Sequence, residues 1–343
     1  MIAIDGSQGE GGGQVLRSAL ALSLVTGKPF KITNIRARRK RPGLMRQHLT
    51  AVRAATEVGQ ARVTGALLGS RELTFEPENL RPGESQFAVG TAGSASLVLQ
   101  TVLPALLCAS GPSVLRLEGG THNPWAPPFD FLAKTFLPLI NRIGPTVDAT
   151  LVRPGFYPAG GGEFRVTITP AVRLAPLELL ERGRIKRISA TAKVAHLPRT
   201  IAERELRVIG RKLGLSDRDL VVEEIADSRG PGNIVTIEVE CEHVTEVFTG
   251  FGERQVAAEN VAKKVAEDAR RFLSKDVAVG EYLTDQLLMP LGLAGVGAFR
   301  TLGLSRHAQT NMEVIKSFLD IRFEIDRDCP PGVVVRASPL PPA

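Results

Sequence analysis

Residues 302–314 read LGLSRHAQTNMEV and place His307, one of only five histidines in 343 residues, beside Arg306 and close to a helix start. Thr310 and Glu313 have the S/T-x-x-E spacing of a capping box, which predicts a helix beginning at Asn311. His307 would then lie just outside that helix, facing its free N–H groups and its positive dipole end. Such a terminus suits a phosphate, and the Arg306 charge favours the neutral, nucleophilic form of the imidazole. The chemistry in question is attack on phosphorus; the competing reading is a loop histidine with no role.

A second set of groups suits anions. Arg36, Arg38, Arg39, Lys40, Arg41 and Arg46 surround one loop, which Pro42 and Gly43 stiffen and the following apolar helix positions Met45, Leu49 and Val52 anchor. Arginine forks match phosphate oxygens in pairs, although exposed basic runs are often only solvated. Gln47 and His48 follow; His48 stands at helical spacing from Leu44 and Val52, so a packed structural histidine is a serious alternative. The glycine run GSQGEGGGQVLR lacks the spacing of a Walker A loop or a dinucleotide fingerprint. It says only that backbone approaches something closely, with Glu10 able to hold a divalent metal and Arg17, one helical turn on, able to reach a phosphate. Gln100 interrupts the apolar run LVLQTVLPALL and needs a partner there. Tyr282, Asp285 and Gln286 open another helix and could bind a nucleoside by hydrogen bonds. His122 sits in a loop with no evident partner, and His196 and His243 read as surface residues.

Three segments of the chain share one order of signals: a Gly-led apolar helix, a short strand, a polar loop, a second helix, then another strand. This is an internal repeat. The first two copies begin about 80 residues apart, and the third begins so much later that roughly 100 residues, the length of a small domain, must be inserted. The boundaries are 1–182 for repeats one and two, 183–276 for an inserted α/β domain, and 277–343 for repeat three. The three loops between strand and second helix occupy equivalent places, so pseudo-symmetry can bring them near one another.

Composition narrows the partners. Hydrophobic residues make up 43%, enough for a large core, and the net charge of +7 favours an anionic partner such as nucleic acid or a phosphorylated substrate. With one Trp and two Tyr, a base-stacking platform is poorly supplied. Three cysteines far apart show no metal or redox spacing and fit a reducing cytoplasm. No apolar run reaches membrane-spanning length, and nothing in the pattern decides between a monomer and a small dimer.

The stretches DGSQGEGGGQVLRSALALS, RPGLMRQHLTAVRAA, GTAGSASLVLQTVLPALL, GFYPAGGGEF, GPGN, VGEYLTDQLLMPLGLAG and HAQTNMEV together resemble the RNA 3′-terminal phosphate cyclase family, in order and across essentially the whole chain. The resemblance implies an α/β (α+β) fold of three repeats, each a four-stranded sheet with two helices, interrupted by a small inserted α/β domain. It implies a ligase that uses ATP to convert an RNA 3′-phosphate into a 2′,3′-cyclic phosphodiester, releasing AMP and pyrophosphate. In that family a histidine of the last repeat becomes adenylylated; the matching residue is His307. By the same matching, Gln100, Tyr282, Leu283, Thr284, Asp285 and Gln286 would line the ATP site, and Pro127 would touch adenine. Glu10 would hold Mg²⁺ or Mn²⁺. Arg17, Arg36, Arg39, Gln47 and His48 would line the phosphate and RNA-end region. One branch of the family is a non-catalytic ribosome-assembly factor without the nucleophile, and the enolpyruvyl transferases share a related repeat architecture; His307 and the YLTDQ run argue against both.

Overall fold

The computed structural model describes residues 1–341. In the first repeat the chain runs through β1 (Ile2–Asp5), α1 (Gly13–Thr26), β2 (Phe30–Thr33), α2 (Arg46–Val58), β3 (Arg62–Thr64) and β4 (Leu73–Glu76). The second has β5 (Glu84–Ala88), α3 (Ala95–Leu106), β6 (Ser113–Gly119), then α4 (Phe129–Phe131) and α5 (Leu137–Arg142) joined through a π turn at Leu132–Phe136, then β7 (Thr146–Arg153) and β8 (Gly162–Thr169). Strand β9 (Leu177–Leu179) opens the third. The chain then leaves it for β10 (Ile185–Ala195), α6 (Arg199–Leu213), β11 (Leu220–Ile225), β12 (Gly232–Cys241), β13 (Thr245–Phe251) and α7 (Ala258–Leu273). It returns with α8 (Glu281–Ala294), β14 (Gly297–Thr301), α9 (Arg306–Phe318), β15 (Ile321–Asp326) and β16 (Val333–Pro339).

The sheet orders are β1-β2-β4-β3, β5-β6-β8-β7 and β9-β14-β16-β15. In each, the first two strands are parallel and the later pairings antiparallel, so all three repeats follow one β-α-β-α-β-β path. The inserted segment makes a fourth sheet from its own strands, β11-β10-β12-β13. This is the α+β architecture expected, three repeats of four strands and two helices.

Strand β2 alternates buried Phe30 and Ile32 with exposed Lys31 and half-buried Thr33, which is what a sheet covered on one face requires. Helix α1 is rich in Ala and Leu, buries nearly all its length, and stops where Gly27 adopts a left-handed φ of 68° and its N–H bonds Ser23 O. It lies centrally, against α2, α3 and α9. Phe30 packs on Phe75 of its own sheet and, at 6.0 Å, on Phe318 of α9, so apolar contact joins the first and last repeats. No helix among the described residues is long and apolar enough to cross a membrane.

Two sequence expectations change. Helix α9 begins at Arg306, five residues before the predicted start at Asn311. Ser305 is the N-cap, its Oγ accepting from Ala308 N at 2.9 Å, while the Thr310 hydroxyl bonds back to Arg306 O inside the helix. His307 is therefore the second helical residue and not a loop residue. The strands β1, β3, β5, β7, β9 and β15 were also not anticipated; most are short and lie at sheet edges, where one neighbour suffices and the apolar pattern is weak.

Candidate active site

The Gly-rich turn after β1 is built against α9. Gly9 (φ 56°) sits where a Cβ would run into the Thr310 hydroxyl, so only glycine permits this approach. The closure lets Glu10 N donate to Thr310 Oγ1 at 3.2 Å and delivers the Glu10 carboxylate to His307. Glu10 Oε2 stands 2.9 Å from His307 Nδ1, and Gln14 Oε1, from the first turn of α1, stands 2.9 Å from the same nitrogen. Both neighbours are acceptors, which calls for a proton on Nδ1 and leaves Nε2 with no hydrogen-bond partner among the described residues. The other Glu10 oxygen pairs with Arg39 of the basic loop. Loops one and three thus meet at Glu10.

A second line of contacts sets the orientation of α9. Asp285 of α8 accepts from Ser305 Oγ at 2.8 Å, and Asn311 Nδ2 reaches Asp285 O at 3.4 Å while its Oδ1 accepts from Ser18 of α1 at 2.6 Å. Burial pushes the Asp285 carboxyl up to about 6, against the opposing pull of the Ser305 hydroxyl and of His307. Further along the cleft, Gln100 Nε2 donates to Gln286 Oε1 at 2.8 Å and Gln100 Oε1 accepts from Arg17 Nε at 3.1 Å. The polar residue in the apolar run therefore has two partners, each on a different helix. Leu99, Leu103, Met289 and Pro290 wall the same cleft. Leu283 and Thr284 are fully buried, Thr284 bonding to Thr301 Oγ1 at 2.6 Å, so they support α8 from behind while Tyr282 is 66% exposed at its start.

Arg17 is the electrostatic centre. Burial draws its guanidinium down to about 10, so it remains charged at neutral pH, and no carboxylate pairs with it among the described residues. His48 is buried beside it: its Nδ1 accepts from Met45 N at 3.2 Å, and its Nε2 lies so near Gly13 that a side chain there would strike it. Burial first, then the charges of Arg17 and Arg36, lower His48 to about 3, so it is a neutral donor. Arg36, with φ 54°, spends Nη1 on Arg41 O and Gly43 O and braces its own loop. Gln47 Oε1 accepts from Ser94 N, the N-cap of α3.

Trp125 and Pro127 of the second loop make no hydrogen bond or ion pair to this group among the described residues; Asn123 of that loop reaches Ala92 O, and Asp130 beyond it reaches Lys193 of β10. His122, assigned no partner from sequence, is 1% exposed and has both ring nitrogens engaged, Nδ1 with Thr121 Oγ1 at 2.8 Å and Nε2 with Asp130 Oδ2 at 3.0 Å. Asp130 also binds Lys193 of β10 at 2.9 Å. Burial alone would raise the Asp130 carboxyl, but the His122 hydrogen bond and the Lys193 charge outweigh it and hold the group well below the usual carboxylate range. His196 and His243 are exposed, as read from sequence. Gln14 was missed: a glutamine in the first turn of an amphipathic helix carries no signal until the last repeat folds against it.

No group of three or more His, Cys, Asp or Glu side chains placed to hold a metal ion exists among the described residues. Glu10 is a lone carboxylate, a donor set that fits a hard cation taking its remaining ligands from phosphate oxygens and water.

The arrangement offers an imidazole with one free nitrogen, an unneutralised buried arginine and a cleft with paired amide side chains, which together suit nucleophilic attack on a nucleotide phosphate. The model of the family described as "RNA 3′-terminal phosphate cyclase" matches residues 8–325. A protein of Koribacter versatilis (strain Ellin345) bearing the same description is 54% identical over 328 residues, covering 96% of this chain and 92% of the relative. The chain belongs to the RNA 3′-terminal phosphate cyclase family.

Proposed function

We propose that this chain is an ATP-dependent enzyme that converts an RNA 3′-terminal phosphate into a 2′,3′-cyclic phosphodiester by way of AMP attached to His307. Family membership supports the overall reaction. The observation that carries the mechanism is the pair of acceptors on His307 Nδ1, which leaves Nε2 as the free nucleophile. A phosphate monoester cyclises poorly because its leaving group is poor, and attaching AMP supplies a better one.

In the first displacement His307 Nε2 attacks the α-phosphorus of ATP; the N–P bond forms and the bond to the pyrophosphate oxygen breaks. The ring becomes cationic, and its Nδ1 proton faces Glu10 and Gln14, which stabilise that charge as a carboxylate does for an imidazolium in a triad. Arg17 offsets negative charge on the phosphates, and Arg39 joins it once released from Glu10. A divalent metal, Mg²⁺ or Mn²⁺, held by Glu10 and phosphate oxygens would supply further neutralisation of the leaving pyrophosphate. Gln100, Gln286 and Tyr282 hold the nucleoside, Asp285 orients α9 through Ser305, and Leu283 and Thr284 back the helix. In the second displacement an oxygen of the RNA 3′-phosphate takes AMP, breaking the N–P bond and restoring neutral His307; Gln47 and neutral His48 donate to that phosphate end, with Arg36 bracing the loop. The neighbouring 2′-hydroxyl then attacks the 3′-phosphorus, losing its proton as AMP departs, a step favoured by proximity and available only to RNA.

In this reading residues 183–276 are an inserted domain, a division supported by the sheet they form from their own strands, and the protein works in the cytoplasm. The test is incubation with α-³²P-labelled ATP and divalent metal beside His307→Ala, then a chase with RNA 3′-phosphate. The expected result is acid-labile label on the parent protein alone, discharged by the RNA as cyclic ends appear. Equal label on both proteins would reject His307, and RNA binding without label would favour the assembly-factor branch.

A further inference from the structure

The chain's aromatic residues are divided sharply by type. None of its fourteen phenylalanines is exposed, whereas its only Trp and both Tyr are: Trp125 at 93%, Tyr157 at 67% and Tyr282 at 66%. A single exposed aromatic needs no explanation, but here every amphipathic ring faces water and every purely apolar one is covered. Tyr282 belongs to the cleft already described. Trp125 and Tyr157 do not, and neither has an assigned role.

Both sit on loops from one end of the second repeat's sheet. Gly119 and Gly162 are paired in the β6–β8 ladder, so the loop after β6 and the loop before β8 emerge together. The two are stitched by Thr121 N and His122 N to Gly155 O, each at 3.0 Å, and by a bridge between His122 and Phe156. Counting Cα steps of 3.8 Å from that bridge puts Trp125 and Tyr157 at most about 20 Å apart. The Trp125 loop is held firmly from below: His122 is locked between Thr121 and Asp130, and Asn123 Nδ2 donates to Ala92 O at 2.5 Å. Trp125 itself has φ 62°, an uncommon conformation for a non-glycine residue, and its indole stands in solvent.

The platform continues from the phosphate-binding groups. Gly120 bridges Ser94, whose N–H is bound by Gln47, the neighbour of His48. A path thus runs from His48 and Gln47 through Ser94 and Asn123 to Trp125 and Tyr157. Charge along it is complementary to a phosphate backbone: Arg153 donates to Gly161 O at 2.8 Å and has no carboxylate partner among the described residues, and Arg229 lies across Gly161 while pairing with Glu118 at 3.2 Å. Rigid exposed rings beside a basic track are what single-stranded nucleic acid requires, since every base offers a π face.

We propose that Trp125 and Tyr157 form a stacking platform for the bases of single-stranded RNA lying upstream of the 3′-phosphate. The inference rests on the function proposed above. The scarcity of aromatics in the sequence argued against such a platform, and their placement argues for it.

Trp125 is the only tryptophan, so the protein's indole emission reports this loop alone. The experiment titrates the full chain with a 3′-phosphorylated oligoribonucleotide of about six nucleotides, with a nucleoside 3′-phosphate, and with ATP. The expected result is saturable quenching by the oligonucleotide only. Trp125→Ala and Tyr157→Ala should each raise the KM for that oligonucleotide roughly ten-fold or more, with little change for a dinucleotide. Self-adenylylation, which needs no RNA, serves as the control that the nucleotide site is intact. Cyclisation of the oligonucleotide with unaltered emission, quenching by ATP alone, or unchanged length dependence in the variants would each overturn the platform. Quenching by RNA in a protein that never adenylylates would instead leave the platform standing and remove the catalytic reading.

Discussion

The described residues contain two histidine–carboxylate pairs of nearly equal length and opposite use. His122 and Asp130 are 3.0 Å apart, His307 and Glu10 2.9 Å. The difference lies in the second ring nitrogen. His122 is sealed, with Thr121 on Nδ1 and Asp130 on Nε2, and Lys193 neutralises the carboxylate. His307 has two acceptors crowded on Nδ1, and its side chain is 47% exposed. A nucleophile is made by the valence left over; a histidine beside a carboxylate is as easily a rivet.

Removing the histidines should therefore have contrasting consequences. His307→Asn should depress covalent AMP transfer by roughly three orders of magnitude or more while leaving the melting temperature nearly unchanged, because the side chain is half exposed and its polar partners among the described residues are Glu10 and Gln14. Asp130→Asn should do the reverse: adenylylation per folded molecule persists, but the largely buried Lys193 ammonium keeps only Glu223, at 3.6 Å, as a carboxylate partner among the described residues, costing about 1–3 kcal/mol in denaturant unfolding. Transfer activity that survived in the first variant, or an unaltered unfolding midpoint in the second, would break the contrast.

Much of this contrast was hidden in the sequence. The third-repeat histidine, the basic loop and the YLTDQ run were all visible as chemistry, and Gln100 announced itself as a polar residue in an apolar run. The start of α9 was misplaced because Thr310 mimics a capping residue; Ser305 wins since its hydroxyl also donates to Asp285, twenty positions away. Gln14 and Asp130 were illegible for the same reason. Their roles depend on partners 293 and 63 residues distant, brought close only by the packing of repeats and of the inserted segment.

A smaller effect sharpens the pair further. Glu10→Gln keeps a hydrogen-bond acceptor near Nδ1 but removes the charge facing the imidazolium, so adenylyl transfer should slow on the order of 10- to 100-fold without loss of stability. A larger stability loss than rate loss would make Glu10 a structural residue like Asp130.

The smallest effect concerns a carboxyl with no histidine at all. Glu246 of β13 is 3% exposed and accepts from Gly280 N, the N-cap of α8, at 2.5 Å. Burial pushes it up to about 8, only partly offset by that hydrogen bond. Because the folded value lies above the ordinary 4.5, the folded state binds the extra proton, and this contribution to stability is lost as pH rises toward and through about 8. Thermal unfolding at about pH 6 and about pH 9 should show a steeper decline for the parent protein than for Glu246→Gln; parallel declines would remove Glu246 from the account.

The central claim is that His307 Nε2 carries the AMP, and locating the adduct tests it most directly. After reaction with ATP and metal, proteolysis with tandem mass spectrometry identifies the modified residue, and ³¹P–¹⁵N coupling in protein with labelled histidine identifies the nitrogen. The account predicts AMP on His307 with phosphorus coupled to Nε2. An adduct on any other side chain, or coupling to Nδ1, would contradict it.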